Sequence, residues 1–381
     1  MSSTEAHTPS LESLLAECTR LDASDLHVAP GVPPTFRVHG DLVAHAAVGP
    51  LDRAATEALC NELLATSGTR GLEATGAQDG ALTGRDGTRF RFNVYRRLGG
   101  IAAAVRRLEE RFRTLAELGL PESLYELCDI PDGLVVVAGP TGAGKSTTLA
   151  ALVDRINRTR RVHVITIEDP IEYVHAPIAS LVQQRQVGTD ASSFQDALVA
   201  SLREDPDVIL VGEVRDLDTI RTAIRAAETG HLVLTTVHAG DAVGALERLA
   251  SVFPSDEQVG IRRQLGLVLR AVVAQRLLPR DGVRASPRAQ RATRRVVASE
   301  ILRANTAIAH LLATGRTPQI YAALESGGAQ GMQTFEHDLA RLLADGTISD
   351  TTARANARSP ELLRARTLHE NGRTLSTKAD R

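Results

Sequence analysis

Nine consecutive residues, Gly139, Pro140, Thr141, Gly142, Ala143, Gly144, Lys145, Ser146 and Thr147, carry the spacing G-x-x-x-x-G-K-[ST]. The chemistry open to such a stretch is the holding of a phosphate chain. Its glycines let the backbone curl until several N–H groups converge on anionic oxygens. Lys145 has the reach to meet β- and γ-phosphates, and the Ser146 hydroxyl is of the right type and position for Mg²⁺. The apolar run Leu134-Val135-Val136-Val137-Ala138 precedes the loop, and a helical pattern follows it. Three successive β-branched residues suit a strand buried on both faces. The helix offers its N-terminus, which favours anions. A nucleotide site is the expectation.

Three further strand ends bring side chains suited to the same chemistry. Val164-Ile165-Thr166-Ile167 runs into Glu168-Asp169-Pro170-Ile171-Glu172. In open α/β sheets ligands bind at the carboxyl ends of strands, so these carboxylates are expected near the phosphates, although an acidic turn has the same composition. Val208-Ile209-Leu210-Val211 is followed by Gly212-Glu213. Glu213 is a candidate to hold Mg²⁺ or its water. Its alternative use, capping the helix over 216–228, is better filled by Asp216. Thr235-Thr236-Val237 leads to His238, which could contact or report a γ-phosphate, or could be a structural histidine.

These residues need a frame that holds four strand ends together. Strands at 134–138, 162–167, 208–211 and 232–236 alternate with helices near 145–157, 193–203, 216–228 and 241–250. The alternation predicts an α/β fold with a mainly parallel sheet covered by helices on both faces. Helices over 305–313, 317–326 and 334–344 follow. Before this lies a small α+β domain, 10–108. It has a helix through Leu11, Leu14 and Leu15, short strands at 23–28 and 33–41, a helix over 51–64, and a strand from Arg89 to Arg96. In that last strand Phe90, Phe92 and Val94 should face inward and the arginines outward. A closing strand runs from Ile101 to Val105. Residues 109–132 read as a solvated linker, 133–357 as the larger domain, and 1–9 and 358–381 as disordered ends.

Composition narrows the class. A chain of 381 residues allows two or three domains, with aromatics at 3% and no Trp, so the cores must be aliphatic. The net charge of −2 gives no lead toward nucleic acid. Six arginines crowd 280–295 without an interleaved aromatic, which reads as a solvated loop and not as a stacking surface. Cys18, Cys60 and Cys128 are far apart, which suits a reducing compartment and offers no zinc pattern. Neither a signal peptide nor a membrane-spanning window is visible, so a cytosolic protein is expected.

Taken together, the phosphate loop, the acidic stretch Ile165–Tyr173, Arg203–Asp216 and Ala226–His238 resemble the type II/IV secretion ATPase superfamily. Within it they are similar to the PilT-type retraction ATPases of type IV pili, the twitching-motility class. Ala23–His27, Phe36–Asp41 and Gly331–Thr334 carry the same likeness. The resemblance implies a PAS-like first domain, a RecA-like P-loop ATPase domain and a ring homo-hexamer hydrolysing ATP with Mg²⁺. By position it makes Lys145 and Ser146 the Walker A pair, Glu172 the base, Glu213 the Walker B carboxylate and His238 the histidine-box residue. Arg91 and Arg106 match arginines that reach the nucleotide. It implies an inner-membrane platform protein as partner, a place at the cytoplasmic face of that membrane reached through partners, and no direct nucleic-acid contact. Alternatives are a pilus-assembly or secretion ATPase and, from another class, a RecA-like nucleic-acid motor. Two stretches depart from the retraction pattern: Ala307–Leu312 lacks the Arg and Asn usual there, and the arginine-rich insert at 280–295 is unusual.

Overall fold

The computed structural model describes residues 9–38, 40–108, 111–281 and 295–367. They form two compact units. One holds the described residues up to Arg111 together with Pro170–Val174; the other holds Phe112–Asp169 and the described residues from His175 onward.

The first unit begins with α1 (Leu11–Arg20), whose first turn is closed by the Ser10 hydroxyl accepting from the Ser13 N–H at 3.2 Å. Leu11, Leu14, Leu15 and Cys18 recur at helical spacing and are buried. Then come β1 (Ala23–Val28), β2 (Thr35–Val38), β3 (Asp41–Ala44), α2 (Arg53–Ser67), α3 (Arg70–Ala74), β4 (Ala77–Thr83), β5 (Arg89–Arg97) and β6 (Gly100–Arg107). The sheet order is β3-β2-β1-β6-β5-β4, antiparallel throughout. In β5 the alternation falls as expected, with Phe90, Phe92 and Val94 buried beside Cys60 of α2. The stretch 33–41, read as one strand, instead holds β2 and the first residue of β3, because the chain turns back at Gly40. His39 of the Phe36–Asp41 motif lies outside the described residues.

The second unit runs α4 (Leu115–Leu118), a 3₁₀ helix (Glu122–Cys128), β7 (Gly133–Ala138), α5 (Lys145–Thr159), β8 (His163–Glu168), β9 (Leu181–Gln186), α6 (Phe194–Ser201) and β10 (Val208–Val211). It continues with α7 (Leu217–Glu228), β11 (Leu232–Val237), α8 (Ala242–Ser251), α9 (Gln258–Val268), β12 (Leu269–Pro279) and β13 (Arg295–Arg303). Helices α10 (Thr306–Ala313), α11 (Ile320–Ser326), α12 (Phe335–Ala344) and α13 (Asp350–Asn356) close it. The sheet order is β13-β12-β7-β11-β10-β8-β9, parallel except for β13. Every residue of β7 and β11 is buried. Alternate side chains of β7 therefore feed two layers. Val135 and Val137 pack with Leu149, Leu152 and Ile156 of α5, while Leu134, Val136 and Ala138 join the core under α7 and α8. Each Val, Leu or Ile among them contributes about 1.5–3 kcal/mol on burial.

Two boundaries differ from the sequence expectation. The linker read at 109–132 is, from Phe112 on, part of the second unit. Leu115, Leu120, Leu124, Leu127 and Cys128 are buried against Val135 and Leu152, so this segment is core and not a solvated tether. Its charged residues masked a leucine pattern that needs a partner surface to bury it. The tail expected to be disordered from 358 is helical over 360–367, with Leu363 buried in the main core. The readings of 1–9, of the arginine-rich 280–295 stretch and of the end beyond Thr367 fall mainly outside the described residues. Asp281 is an exception: its carboxylate accepts from Ser349 N at 2.8 Å, at the start of α13.

Candidate functional site

Parallel pairing brings four strand ends to one edge of the second unit's sheet. Ala138 stands opposite Val237, and Val211 opposite both Thr235 and Ile167. The phosphate loop leaves β7 there, His238 leaves β11, Glu213 leaves β10, and Glu168 is the last residue of β8. Two threonines fix the neighbouring ends. Thr235 Oγ1 donates to Val211 O at 2.8 Å and Thr236 Oγ1 to Gly212 O at 2.7 Å.

The loop reaches α5 through Gly144, whose φ of 90° is a left-handed conformation that side-chain-bearing residues rarely hold. Lys145 opens the helix and is 9% exposed. Its Nζ donates to Gly139 O at 3.0 Å and Pro140 O at 3.2 Å, which aims the ammonium across the mouth of the loop. Ser146 is exposed in the same first turn. Backbone donors, a cation and a helix N-terminus therefore converge on one spot.

Glu213 accepts from Arg215 Nε at 2.6 Å and lies 3.1 Å from His238 Nε2, both at its Oε1. Burial opposes ionisation of this carboxyl, but Arg215, His238 and Lys145 outweigh it and hold the pKa below the ordinary value. Asp216 caps α7, accepting from Thr219 N at 2.8 Å, so Glu213 is free of that duty. An ionised carboxylate and an exposed hydroxyl are hard oxygen donors of the kind Mg²⁺ takes, with its other positions left to phosphate and water. The residues present fit that ion. Glu168 is engaged otherwise: its Oε1 accepts from Thr166 at 2.7 Å and Gln184 at 3.2 Å.

A buried acid supports the helix that follows His238. Glu300 of β13 is 1% exposed, and its Oε1 accepts from Ala242 N at 2.9 Å, the first residue of α8. Burial, reinforced by Asp241 and Glu336, pushes its pKa up to about 7. An acid raised in the folded state gives stability that is complete below its unfolded pKa, near 4.5, and lost as pH rises through about 7. Melting at pH 5 and pH 8 should therefore show about 1–3 kcal/mol of stability lost by the unaltered chain. Glu300→Gln, which keeps the acceptor for Ala242, should lose much less. Parallel pH dependence in the two chains would contradict the assignment.

Arg91, Arg106 and Glu172 are brought together in the first unit. They line a cleft of about 250 Å³ with Asp25, Asp79 and Asn93. Glu172 belongs here because Pro170–Val174 packs with the first unit, where Ile171 O accepts from Arg89 Nη2 at 3.4 Å. Neither arginine is bare. Arg106 Nε donates to Asp25 Oδ1 at 2.9 Å, and Arg91 Nη2 is 4.0 Å from Asp79. Burial works against the Asp25 charge, yet Ser24 and Arg106 outweigh it and lower its pKa.

Three contributors escaped the sequence reading. Asp25 lies in β1 between Ser24 and Leu26, and in that mixed strand its sequence gives no sign that it is buried against a distant arginine. Arg215 stands two residues past Glu213 and drew no role. Gln275 breaks the apolar run Ala271-Val272-Val273-Ala274, and that lone amide was the signal available.

Known proteins resemble this chain over most of its length. The family model described as type II/IV secretion system protein matches residues 2–351. The type IV pilus retraction ATPase PilT of Pseudomonas aeruginosa is 41% identical over 351 residues, 92% of this chain and 99% of that protein. The uncharacterized protein YggR of Escherichia coli is 37% identical over 338 residues, 89% of this chain and 99% of its own length. A solved structure of the pilus retraction motor PilT with bound ADP superposes with a TM-score of 0.84 at 39% identity, covering 94% of this chain and 99% of that one. With that match over nearly its whole length, the chain belongs to the type II/IV secretion system protein family.

Proposed function

We propose that this chain is a Mg²⁺-dependent ATP hydrolase that powers retraction of a type IV pilus. The observation that carries the chemistry is the Glu213 carboxylate, held by Arg215 and His238 beside a complete phosphate loop. The direction of the work rests on the similarity to PilT. In this reading Gly139–Thr147 bind the phosphates of ATP, and Lys145 neutralises them. Ser146 and Glu213 hold Mg²⁺, which supplies charge stabilisation when bound. His238 reports the γ-phosphate to α8. Glu172 acts as the base, and Arg91 and Arg106 meet the transferring phosphoryl group. The working form is a homo-hexamer, which docks on a platform protein at the cytoplasmic face of the inner membrane. In this reading the membrane is reached through that partner; among the described residues no helix is long and apolar enough to cross a membrane.

The test is an ATPase titration combined with sedimentation. Turnover should need Mg²⁺, rise with assembly and be indifferent to added DNA. Glu172→Gln should keep ADP binding and lose about 10²–10⁴-fold in turnover, since an amide cannot accept a proton from water. Full turnover by Glu172→Gln would assign the base elsewhere, and strong stimulation by DNA would favour a nucleic-acid motor.

A further inference from the structure

We infer that Gln275 is a positioning residue for the nucleotide: its side-chain amide sets the orientation of the Ala143–Gly144 peptide, and through it aims the Gly144 N–H at the phosphate chain. The inference rests on the phosphate loop being a nucleotide site, as proposed above.

Gln275 occupies β12 one position past Ala274, which pairs with Ala138 at the end of β7. The strand thus runs alongside the phosphate loop just where the loop begins. The residue is 1% exposed, an expensive place for an amide unless both its ends are satisfied. Both are. Nε2 donates to Ala143 O at 2.7 Å, and Oε1 accepts from Thr148 Oγ1 at 2.9 Å, itself on a residue only 1% exposed. The amide therefore joins the last turn of the loop to the first turn of α5. The backbone is pressed against the same strand: a Cβ on Gly139 would come within 2.6 Å of Gln275 O, and one on Gly144 within 3.2 Å of Gln275 Nε2.

The consequence follows from peptide geometry. A trans peptide is planar, and its C=O and N–H point in opposite directions. With the Ala143 carbonyl turned onto Gln275, the N–H of Gly144 is turned to the loop's other side, where the phosphates are cradled. A loop free to flip this peptide would present a carbonyl oxygen to an anion. Thr148 adds the second constraint: by occupying Oε1 it leaves only the NH₂ end of the amide for Ala143, so the clamp has one polarity.

The experiment titrates fluorescent ADP into Gln275→Met, Thr148→Val and Thr148→Ser chains. It also records the melting of each without nucleotide. Gln275→Met keeps the volume and removes both bonds, so ADP affinity should fall about tenfold. Thr148→Val should fall part of the way, and Thr148→Ser, which keeps the hydroxyl, should bind as the unaltered chain does. Q275M and T148V combined should lose no more than Q275M alone, because both act through one amide. A purely structural role would lower the nucleotide-free melting point and leave ADP affinity unmoved; that result overturns the inference, as does equal loss in T148S and T148V. Should Q275M not fold, the contrast between T148V and T148S decides alone. Lys145→Ala is the reference. If it binds ADP like the unaltered chain, the nucleotide reading itself fails; if it loses ADP while Q275M retains it, only the clamp fails.

Discussion

Lys145→Ala is expected to abolish ATP turnover, by about 10³-fold or more, and to weaken ADP binding as well. The ammonium is nine-tenths buried and pinned at the loop mouth by two carbonyls, so no water or neighbouring lysine can take over its place in the same geometry. Its removal acts twice. The phosphate chain loses a desolvated cation, and Glu213 loses one of the three side chains that hold its pKa down. Arginine would not rescue the site, since a planar guanidinium cannot fill the position of a compact ammonium. Steady-state ATPase rates and a fluorescent-ADP titration measure the two effects separately. A tenth of normal turnover surviving in Lys145→Ala would show that the loop does not hold the reacting phosphates.

The second large effect is at Arg106. Arg106→Ala should bind ADP normally and hydrolyse ATP about 10³-fold more slowly, the range seen when a cation is withdrawn from a transferring phosphoryl group. The structure supplies a competing account, because Arg106 also pairs with Asp25, whose side chain is 12% exposed. Losing that partner strands a buried carboxylate, although Ser24 still donates to it at 2.7 Å and Arg37 lies 3.9 Å away. The two accounts predict different companions. If Arg106 serves only Asp25, then Asp25→Asn together with Arg106→Ala should restore turnover along with stability. If Arg106 serves the phosphoryl group, the double variant regains stability and stays inactive.

Much of the second unit was legible because its central strands are buried on both faces and therefore read as unbroken apolar runs. Strands β7, β8, β10 and β11 match the expected ranges to within a residue or so. Strands β9, β12 and β13 were not read. In β9, Leu181-Val182-Gln183-Gln184-Arg185-Gln186 is an edge strand whose polar side chains follow local partners such as Glu168, and no periodicity survives. In β12 the pair Gln275-Arg276 interrupts the apolar pattern. Gln275 turns to the phosphate loop, while Arg276 donates to Gly240 O at 2.8 Å and Asn356 O at 3.0 Å. Those partners are 36 and 80 residues away in sequence, and local reading has no access to them. The same holds for Asp25 and Arg106, separated by 81 residues. Residue types for the site were legible, and so was their order; their pairing was not.

The three cysteines carry a practical consequence. Cys18, Cys60 and Cys128 are all buried, and burial pushes their thiols up to about 11, 12 and 12. Near neutral pH the reactive thiolate fraction of each is below about one in 10³, so thiol-directed dyes have nothing to attack in the folded chain. Leu98, on the turn between β5 and β6, is 93% exposed. A single cysteine placed there becomes the selective attachment point for a fluorophore on the first unit, without first stripping Cys18 and Cys60 from its core or Cys128 from that of the second unit.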